Sequence, residues 1–353
     1  MPKICLVLPK YAIKFEDPCC YPLGFMYVSS FLKSVGNSVK VLNYNLFEYD
    51  YEKEISTSDA VYFTGSEAFL EENINKSNIA RKIGKETWIG GLLATFNPEK
   101  CKEYFDYIFH GELDASRNLN FVPWPDYEAF GIEEYHERHA LRYMGILGSR
   151  GCPYSCTFCS HIGRYRERAI SFIEDEIDYY IKKYKIEMLV FNDNTLNVRK
   201  SRFINICDML KSKKIKWSAA IRADRFDEEM ATSAKDAGCQ YFVVGIESFR
   251  QDRLDKMHKQ LKVENLKSTL GLLHKHKIDY HGNILLGLGN ETVKDIQEEI
   301  SEIPSGYNVF PVLLQRFPGI QAKSSLKTDE RNWLNNIFTE YAESHSMGFY
   351  PEC

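Results

Sequence analysis

No stretch of the sequence approaches the run of about 18 apolar residues that a bilayer-spanning helix needs. Met1 to Pro9 is only a short apolar run, with no long hydrophobic region and no small-residue cleavage site, so a cytoplasmic protein is expected. Positive charge is not in excess either: 45 Lys and Arg stand against 49 Asp and Glu, a net charge of -4. That balance offers no broad cationic field to a phosphate backbone and argues against nucleic acid as a partner. Proline is sparse at 12 residues, and 44% hydrophobic with 27% charged residues are ordinary globular values, which exclude wholesale disorder and a collagen-like chain. What remains is a soluble-type chain of 353 residues, long enough for two domains of roughly 150 residues each.

Ten cysteines in a reducing compartment are not expected to form a disulfide framework. Seven of them, Cys5, Cys19, Cys20, Cys101, Cys207, Cys239 and Cys353, are scattered and read as small buried hydrophobes or incidental thiols. Cys152, Cys156 and Cys159 are clustered.

The pattern along the chain is α/β. Strands are expected at Ile4 to Leu8, Ser38 to Leu42, Ala60 to Thr64, Thr87 to Ile89 and Tyr107 to Phe109, with helices at Leu23 to Ser34, Leu70 to Gly84 and Pro98 to Tyr104. This alternation predicts a Rossmann-like parallel sheet over residues 1–113. Residues 114–142 lack a sustained period, contain Phe121-Val-Pro-Trp-Pro-Asp126 and read as a linker. From Tyr143 the alternation resumes through six strand and helix repeats, which predicts a partial (β/α)6 barrel of the TIM type over residues 143–319, with its active face at the strand C-termini. Residues 320–353 are left as a short tail with one helix near Trp333 to Ser344.

The stretch Ser149-Arg-Gly-Cys152-Pro-Tyr-Ser-Cys156-Thr-Phe-Cys159-Ser-His161 follows the first strand of that barrel. Three soft thiolates wrapped into one concavity select an iron-sulfur cluster or zinc. A closed structural zinc site takes four protein ligands, and His161 stands near enough in sequence to be the fourth. A cubane held by three cysteines instead leaves one iron open to a substrate or cofactor, and a strand C-terminus favours that open reading.

This spacing, with Phe158 before the third cysteine and the βα repeats that follow, resembles the radical S-adenosylmethionine superfamily. The resemblance implies a 4Fe-4S cluster on Cys152, Cys156 and Cys159 whose open iron binds the methionyl group of S-adenosylmethionine. It implies reductive cleavage of that cofactor to a 5′-deoxyadenosyl radical that abstracts hydrogen from substrate, and a reductant partner such as flavodoxin or ferredoxin. Further segments carry the likeness. Phe191-Asn-Asp193-Asn194 resembles the acidic strand end near the methionyl ammonium, with Asn194 departing from the pattern. Arg222 ends the next strand, where it would pair with the methionyl carboxylate; alone it would read as a surface salt bridge. Gly245-Ile-Glu247-Ser248 resembles the fourth-strand motif, in which Gly245 admits ligand and Glu247 and Ser248 approach the ribose and methionine. Ile284 and Gly287 fall in the fifth-strand segment that packs on adenine, and Thr292 reads as a helix cap. Tyr165-Arg166-Glu-Arg168 reads as a solvated charge run in preference to an anion site, and Lys259 matches a position near the site opening but is given no catalytic role.

Pro22-Leu23-Gly24, Trp88-Ile-Gly90-Gly91 through Thr95, and His110-Gly111-Glu112 resemble the cobalamin-binding domain that precedes the radical domain in one branch of the superfamily. In that likeness Ser66, Gly90, Gly91 and Thr95 would line the corrin, although the Asp-x-His-x-x-Gly motif of other cobalamin proteins is absent. With cobalamin the expected reaction is methylation of an unactivated carbon or a phosphinate. Without it, a radical rearrangement or cyclisation is expected, and the non-enzyme alternative is a zinc or iron-sulfur binding or sensor protein. A second three-cysteine set is missing, which disfavours a methylthiotransferase. The substrate, small molecule or peptide, is not encoded in any motif.

Overall fold

A computed structural model describes residues 1–10, 21–112, 118–138, 141–160, 163–304, 307–314, 320, 326–327, 329–330 and 334. The described residues divide into two compact units: Met1–Tyr143 with Asp175–Lys185, and Met144–Glu174 with the residues from Ile186 onward.

The first unit runs β1 (Lys3–Leu8), α1 (Leu23–Ser34), β2 (Ser38–Asn43), α2 (Tyr51–Ile55), β3 (Ala60–Thr64), α3 (Leu70–Lys82), β4 (Glu86–Gly90), α4 (Leu92–Phe96), β5 (Tyr107–Ile108) and α5 (Ile132–Arg138). Its five strands are ordered β2-β1-β3-β4-β5 and pair in parallel, as the alternation of apolar runs and helices predicts. One sheet face packs Cys5, Val7, Val61, Phe63 and Ile89 against Leu93, Ala94 and Phe105. The helix expected from Pro98 to Tyr104 is only a 3-10 turn at Pro98–Lys100, and α4 lies ahead of it, started at Gly91 with φ +98°. Residues 114–142, expected as a linker, carry α5 and a set of packed rings: Tyr21 meets Tyr127, Tyr135 and Tyr143 at ring-centroid distances of 5.0–5.5 Å.

The chain continues with β6 (Tyr143–Ile146), β7 (Ser149–Arg150), β8 (Arg166–Glu167), α6 (Ile170–Tyr184), β9 (Met188–Phe191), α7 (Lys200–Lys213), β10 (Lys216–Ile221), α8 (Glu228–Asp236), β11 (Cys239–Glu247), α9 (Gln251–Lys256), α10 (Val263–Lys275), β12 (Asp279–Leu286), α11 (Val293–Ser301) and β13 (Val309–Leu313), all in the second unit except Tyr143 and the part of α6 from Asp175. Six strands form one sheet in the order β13-β12-β11-β10-β9-β6, each next to its sequence neighbour, and the pairings from β9 to β13 are parallel. Every crossover but one is a helix or a pair of helices; between β6 and β9 the β7-β8 ribbon is added before α6. Under the sheet Trp217, Phe203, Phe226 and Phe242 pack edge to face or tilted, and the Trp217 indole donates to Ala237 O at 3.1 Å. Thr292 and Asp295 form a capping box on α11, as a strand-to-helix turn at Thr292 predicts.

Among the described residues no helix is long and apolar enough to cross a membrane. His161, Cys19, Cys20, Cys353 and, apart from Leu334, the helix expected near Trp333 to Ser344 lie outside the described residues.

Candidate active site

The cysteine loop is closed at its base by the two-residue strands β7 and β8, which pair antiparallel with Ser149 opposite Glu167 and Arg150 opposite Arg166. Asp193, just past the end of β9, ties this base down. Its Oδ1 accepts from Gly148 N at 2.7 Å and its Oδ2 from the Ser149 hydroxyl at 2.5 Å. Burial pushes the Asp193 carboxyl up to about 6, against the opposing pull of those two hydrogen bonds. Asp193, expected beside a methionyl ammonium, is thus first of all an anchor of the cysteine loop, and an ammonium would have to share its oxygens.

Tyr165 to Arg168 is not a solvated charge run. Arg168 is buried and donates to Leu147 O at 2.6 Å, while Glu167 accepts from the Tyr165 hydroxyl and from Arg199 at 2.8 Å each. Both groups brace the ribbon.

Cys152 and Cys156 are half-buried and Cys159 is exposed. The loop between them is pinned to the barrel at two places. Thr157 N donates to Met257 O at 3.0 Å. The Tyr154 ring lies under the Arg222 guanidinium at 3.6 Å, and its hydroxyl accepts from Arg225 Nε at 3.1 Å. Burial raises the Cys156 thiol, and Lys259 and Arg222 act in the opposite direction; two cations beside a sulfur favour the thiolate that an iron ligand must be. Among the described residues no three His, Cys, Asp or Glu side chains converge on a point for a single metal ion. A cubane takes each thiolate on a different iron and does not require that convergence.

Arg222 is buried rather than a surface salt bridge. Its Nε donates to Asp224 Oδ1 at 2.9 Å and its Nη2 to Lys259 O at 2.6 Å. Asn197, which no sequence pattern singled out, fixes the backbone here: it accepts from Arg222 N at 2.8 Å and donates to Arg222 O at 2.9 Å.

Glu247 closes β11 with φ +64°, a left-handed conformation that costs a non-glycine residue about 1 kcal/mol or more and is held by its surroundings. Its Oε1 accepts from Lys259 Nζ at 2.7 Å. Gly245 serves this pair, because a Cβ there would lie 2.7 Å from Lys259 Nζ and 3.2 Å from Glu247 Oε1. Ser248, expected beside the ribose, is sealed from solvent and turned the other way: it donates to Glu299 Oε1 on α11 at 2.5 Å and accepts from Arg250 N at 3.0 Å.

On β12 a Cβ at Gly282 would strike Ile246 Cδ1, which puts Gly282 and Ile284 on one sheet face and Leu285 on the other. Leu285 packs with Met257, Leu314, Leu288 and the Phe158 ring. The apolar wall beside the cysteine loop is therefore Leu285 and Phe158, and Ile284 belongs to the opposite face; a register shift of one residue exchanges the faces. The following turn, with Gly287 at φ +79° and Gly289 at φ +59°, is held by Glu291, which accepts from Gly287 N at 2.8 Å and Leu288 N at 3.2 Å. Arg253 Nη1 meets Glu291 Oε1 at 2.9 Å, and its Nε lies 3.6 Å from Glu299 Oε2. These buried charges were not visible as such in the sequence.

In the first unit the ends of β3 and β4 meet backbone to backbone: Gly65 N donates to Gly90 O at 2.5 Å, and a Cβ at Gly65 would lie 2.7 Å from that oxygen. Thr95 donates to Gly91 O at 2.7 Å and accepts from Gly111 N at 2.9 Å, so its proton is committed. Ser66 caps a short turn by accepting from Ala68 N at 3.3 Å and keeps its proton.

A parallel α/β barrel with a cysteine loop after its first strand, and buried cations and carboxylates at the following strand ends, defines a cluster-bearing barrel enzyme. Residues 146–303 match the model of the Radical SAM superfamily, so this part of the chain is a Radical SAM domain. It is an enzyme, and the domain's cofactors are a 4Fe-4S cluster and S-adenosylmethionine. Among curated proteins the chain is similar to bacteriochlorophyllide d C-12(1)-methyltransferase of Chlorobaculum tepidum, 24% identical over 80% of this chain and 68% of that one. It is similar also to an uncharacterized methyltransferase of Pyrococcus horikoshii, 25% identical over 84% of this chain and 77% of that one. Its fold is like that of the radical S-adenosylmethionine methyltransferase TsrM from Kitasatospora setae, with a TM-score of 0.71 and 16% identity over 91% of this chain and 75% of that one. It is like that of the cobalamin-dependent S-adenosylmethionine radical enzyme OxsB, with a TM-score of 0.71 and 17% identity over 97% of this chain and 56% of that one.

The residues present fit these cofactors. The three cysteines are the donor set a cluster takes, and the glycine turn at 287–289 beside Leu285 and Phe158 is the apolar, backbone-lined surface a flat ring takes.

Proposed function

We propose that the chain is a cobalamin-dependent radical S-adenosylmethionine methyltransferase acting on an unactivated carbon or a phosphinate. The observation that carries the cobalamin assignment is the C-terminal edge of the first sheet. Its β2-β1-β3-β4-β5 order places a switch point between β1 and β3, where ligands of such sheets sit, and Gly65 and Gly90 leave that edge floored by backbone. A flat macrocycle suits such a floor, and the Ser66 hydroxyl remains able to donate to it. The similarity to named methyltransferases, which spans 80% or more of this chain, supports the same reading.

When bound, the cluster supplies an electron, S-adenosylmethionine a hydrogen-abstracting carbon radical and cobalamin a transferable methyl group. The chain's own residues hold and orient. Cys152, Cys156 and Cys159 ligate the cluster; Asp193 and Arg168 fix the loop that carries them. Glu247 accepts from the ribose hydroxyls, and Gly287 with Leu285 and Phe158 confines the adenine.

The test is anaerobic loading of the protein with hydroxocobalamin followed by gel filtration. Retention of about one cobalamin per chain with an altered absorption spectrum supports the proposal. Loss of all cobalamin from protein that keeps its iron-sulfur spectrum moves the chain to cobalamin-independent rearrangement or cyclisation. Three curated relatives are named as anaerobic magnesium-protoporphyrin IX monomethyl ester cyclases and favour cyclisation as the chemistry, one of them, from Rubrivivax gelatinosus, being 27% identical over 78% of this chain and 60% of that one.

A further inference from the structure

The two faces of the six-stranded sheet differ in burial. Phe242 packs toward Phe203 of α7, and on that helix-covered face Phe242, Val244 and Ile246 of β11 are wholly buried. Tyr241, Val243 and Gly245, which alternate with them on the inward face, are each half-buried. β13 repeats the pattern: Val309, Pro311 and Leu313 are buried, while Phe310 and Val312 are half-buried. Ala220 of β10, in register with Val243, and Asn283 of β12, in register with Phe310, are half-buried as well. The interior of a closed barrel is filled by its own side chains, whereas this inward face is left partly uncovered by them.

The face runs into the site already described. Leu285 of β12 and Leu314 after β13, the last residues on it, pack with Phe158 of the cysteine loop. At its other end Tyr241, His281 and Phe310 form a row across β11, β12 and β13, with ring centroids 6.1 Å apart at each step. Val243, Asn283 and Val312 stand between the row and the loop. Burial holds the His281 imidazole below its usual value and hence neutral near pH 7. From Tyr241 to Gly245, His281 to Leu285 and Phe310 to Leu314, all of them described residues, this face carries no ionised side chain. Charge begins only at the strand ends, where Glu247 is paired with Lys259 and Arg222 with Asp224. An anion carried inward would lose its water without meeting a cation. A flat apolar ring gains aromatic and aliphatic walls, and the Asn283 amide offers a polar substituent both donors and an acceptor.

We propose that the part of the substrate bearing the reacting carbon is an uncharged ring system seated on this inward face. Its rings lie against Tyr241, Val243, Phe310 and Val312, and a neutral oxygen or nitrogen substituent meets the Asn283 amide. This selects carbon over a phosphinate, which is an anion, as the group acted on. The assignment rests on the reading that S-adenosylmethionine occupies the strand ends of this sheet, and the test separates the two. The cluster-reconstituted chain, saturated with S-adenosylmethionine to cover Leu285 and Phe158, is dialysed without reductant against 2-naphthol and against 2-naphthoate. These probes share their rings and differ in charge. Bound S-adenosylmethionine is counted in the same samples, and variants are compared at matched iron and sulfide content.

2-Naphthol is expected to bind at least about tenfold more tightly than 2-naphthoate. Val243→Trp, which fills the space, should weaken 2-naphthol about tenfold or more, and Asn283→Leu about three- to tenfold, the worth of one neutral hydrogen bond. Val243→Lys should weaken 2-naphthol and strengthen 2-naphthoate, a reversal that loosened packing alone does not produce. Val312→Phe takes the place of Val243→Trp if that variant takes up less cluster. 2-Naphthoate bound as tightly as 2-naphthol, 2-naphthol that none of the variants displaces, or no binding of either probe would overturn the proposal. Wild-type protein that takes up no S-adenosylmethionine would overturn the underlying reading and the proposal with it.

Discussion

Arg253 stands between two carboxylates, Glu291 at 2.9 Å and Glu299 at 3.6 Å, with its own side chain and that of Glu299 almost wholly buried. Its Nη2 also donates to Leu285 O at 2.7 Å, so one cation joins α9, α11, the end of β12 and the glycine turn after it. Replacing Arg253 with Met removes the cation from beside the buried Glu299 and the half-buried Glu291. The expected loss of stability is about 3–5 kcal/mol, and combining it with Glu299→Gln should cost less than the sum of the two single changes. Urea denaturation of the four proteins of this cycle measures both quantities.

Asp193 makes stability depend on pH. Its carboxyl is raised from 3.8 to about 6 in the folded chain by burial. Between those values the folded chain keeps a proton that the unfolded chain has released, so stability falls as pH rises through this window and levels off above it. The decline is about 3 kcal/mol at most, and Asp193→Asn should remove it. Urea midpoints of cluster-free wild type and variant from pH 4 to pH 7 test this; parallel profiles would remove Asp193 as the source.

Gly151→Ala should impair cluster uptake more than folding. Gly151 has φ +74°, and a Cβ there would lie 2.3 Å from the Arg164 carbonyl oxygen across the neck of the cysteine loop. The backbone must shift, at a cost of about 1–3 kcal/mol, and the shift falls on the loop rather than on the six-stranded sheet. Iron and sulfide analysis after reconstitution, beside circular dichroism, separates the two effects.

Gly245→Ala should lower stability by about 1–3 kcal/mol, because its methyl would lie 2.7 Å from Lys259 Nζ and push that buried ammonium off Glu247. The same displacement disturbs Glu247, so binding of S-adenosylmethionine, read by equilibrium dialysis beside the thermal midpoint, should fall as well.

Much of the fold is legible in the sequence because buried parallel strands are continuous apolar runs and their helices carry a 3.6-residue period. Leu23–Ser34 and Ala60–Thr64 have the ends the pattern gives them. Short elements escape: Tyr51–Ile55 and Ile132–Arg138 span one or two turns, and Ser149–Arg150 with Arg166–Glu167 is too brief to alternate. At the site, the cysteine spacing and the strand-end positions of Asp193, Arg222 and Glu247 are visible, while the direction of each side chain is not. Ser248 points at Glu299, Leu285 replaces Ile284 beside Phe158, and Lys259, Arg253 and Glu299 look like surface charges until the fold buries them. Composition does not distinguish a solvated charge from a paired one, because the partner comes from a distant element.

Reductive cleavage of S-adenosylmethionine by anaerobically reconstituted protein tests the central claim most directly. With dithionite or a flavodoxin system, wild type should show iron-sulfur absorption and form 5′-deoxyadenosine, and folded Cys156→Ala should do neither. Folded wild-type protein that takes up no cluster and forms no 5′-deoxyadenosine would contradict the account.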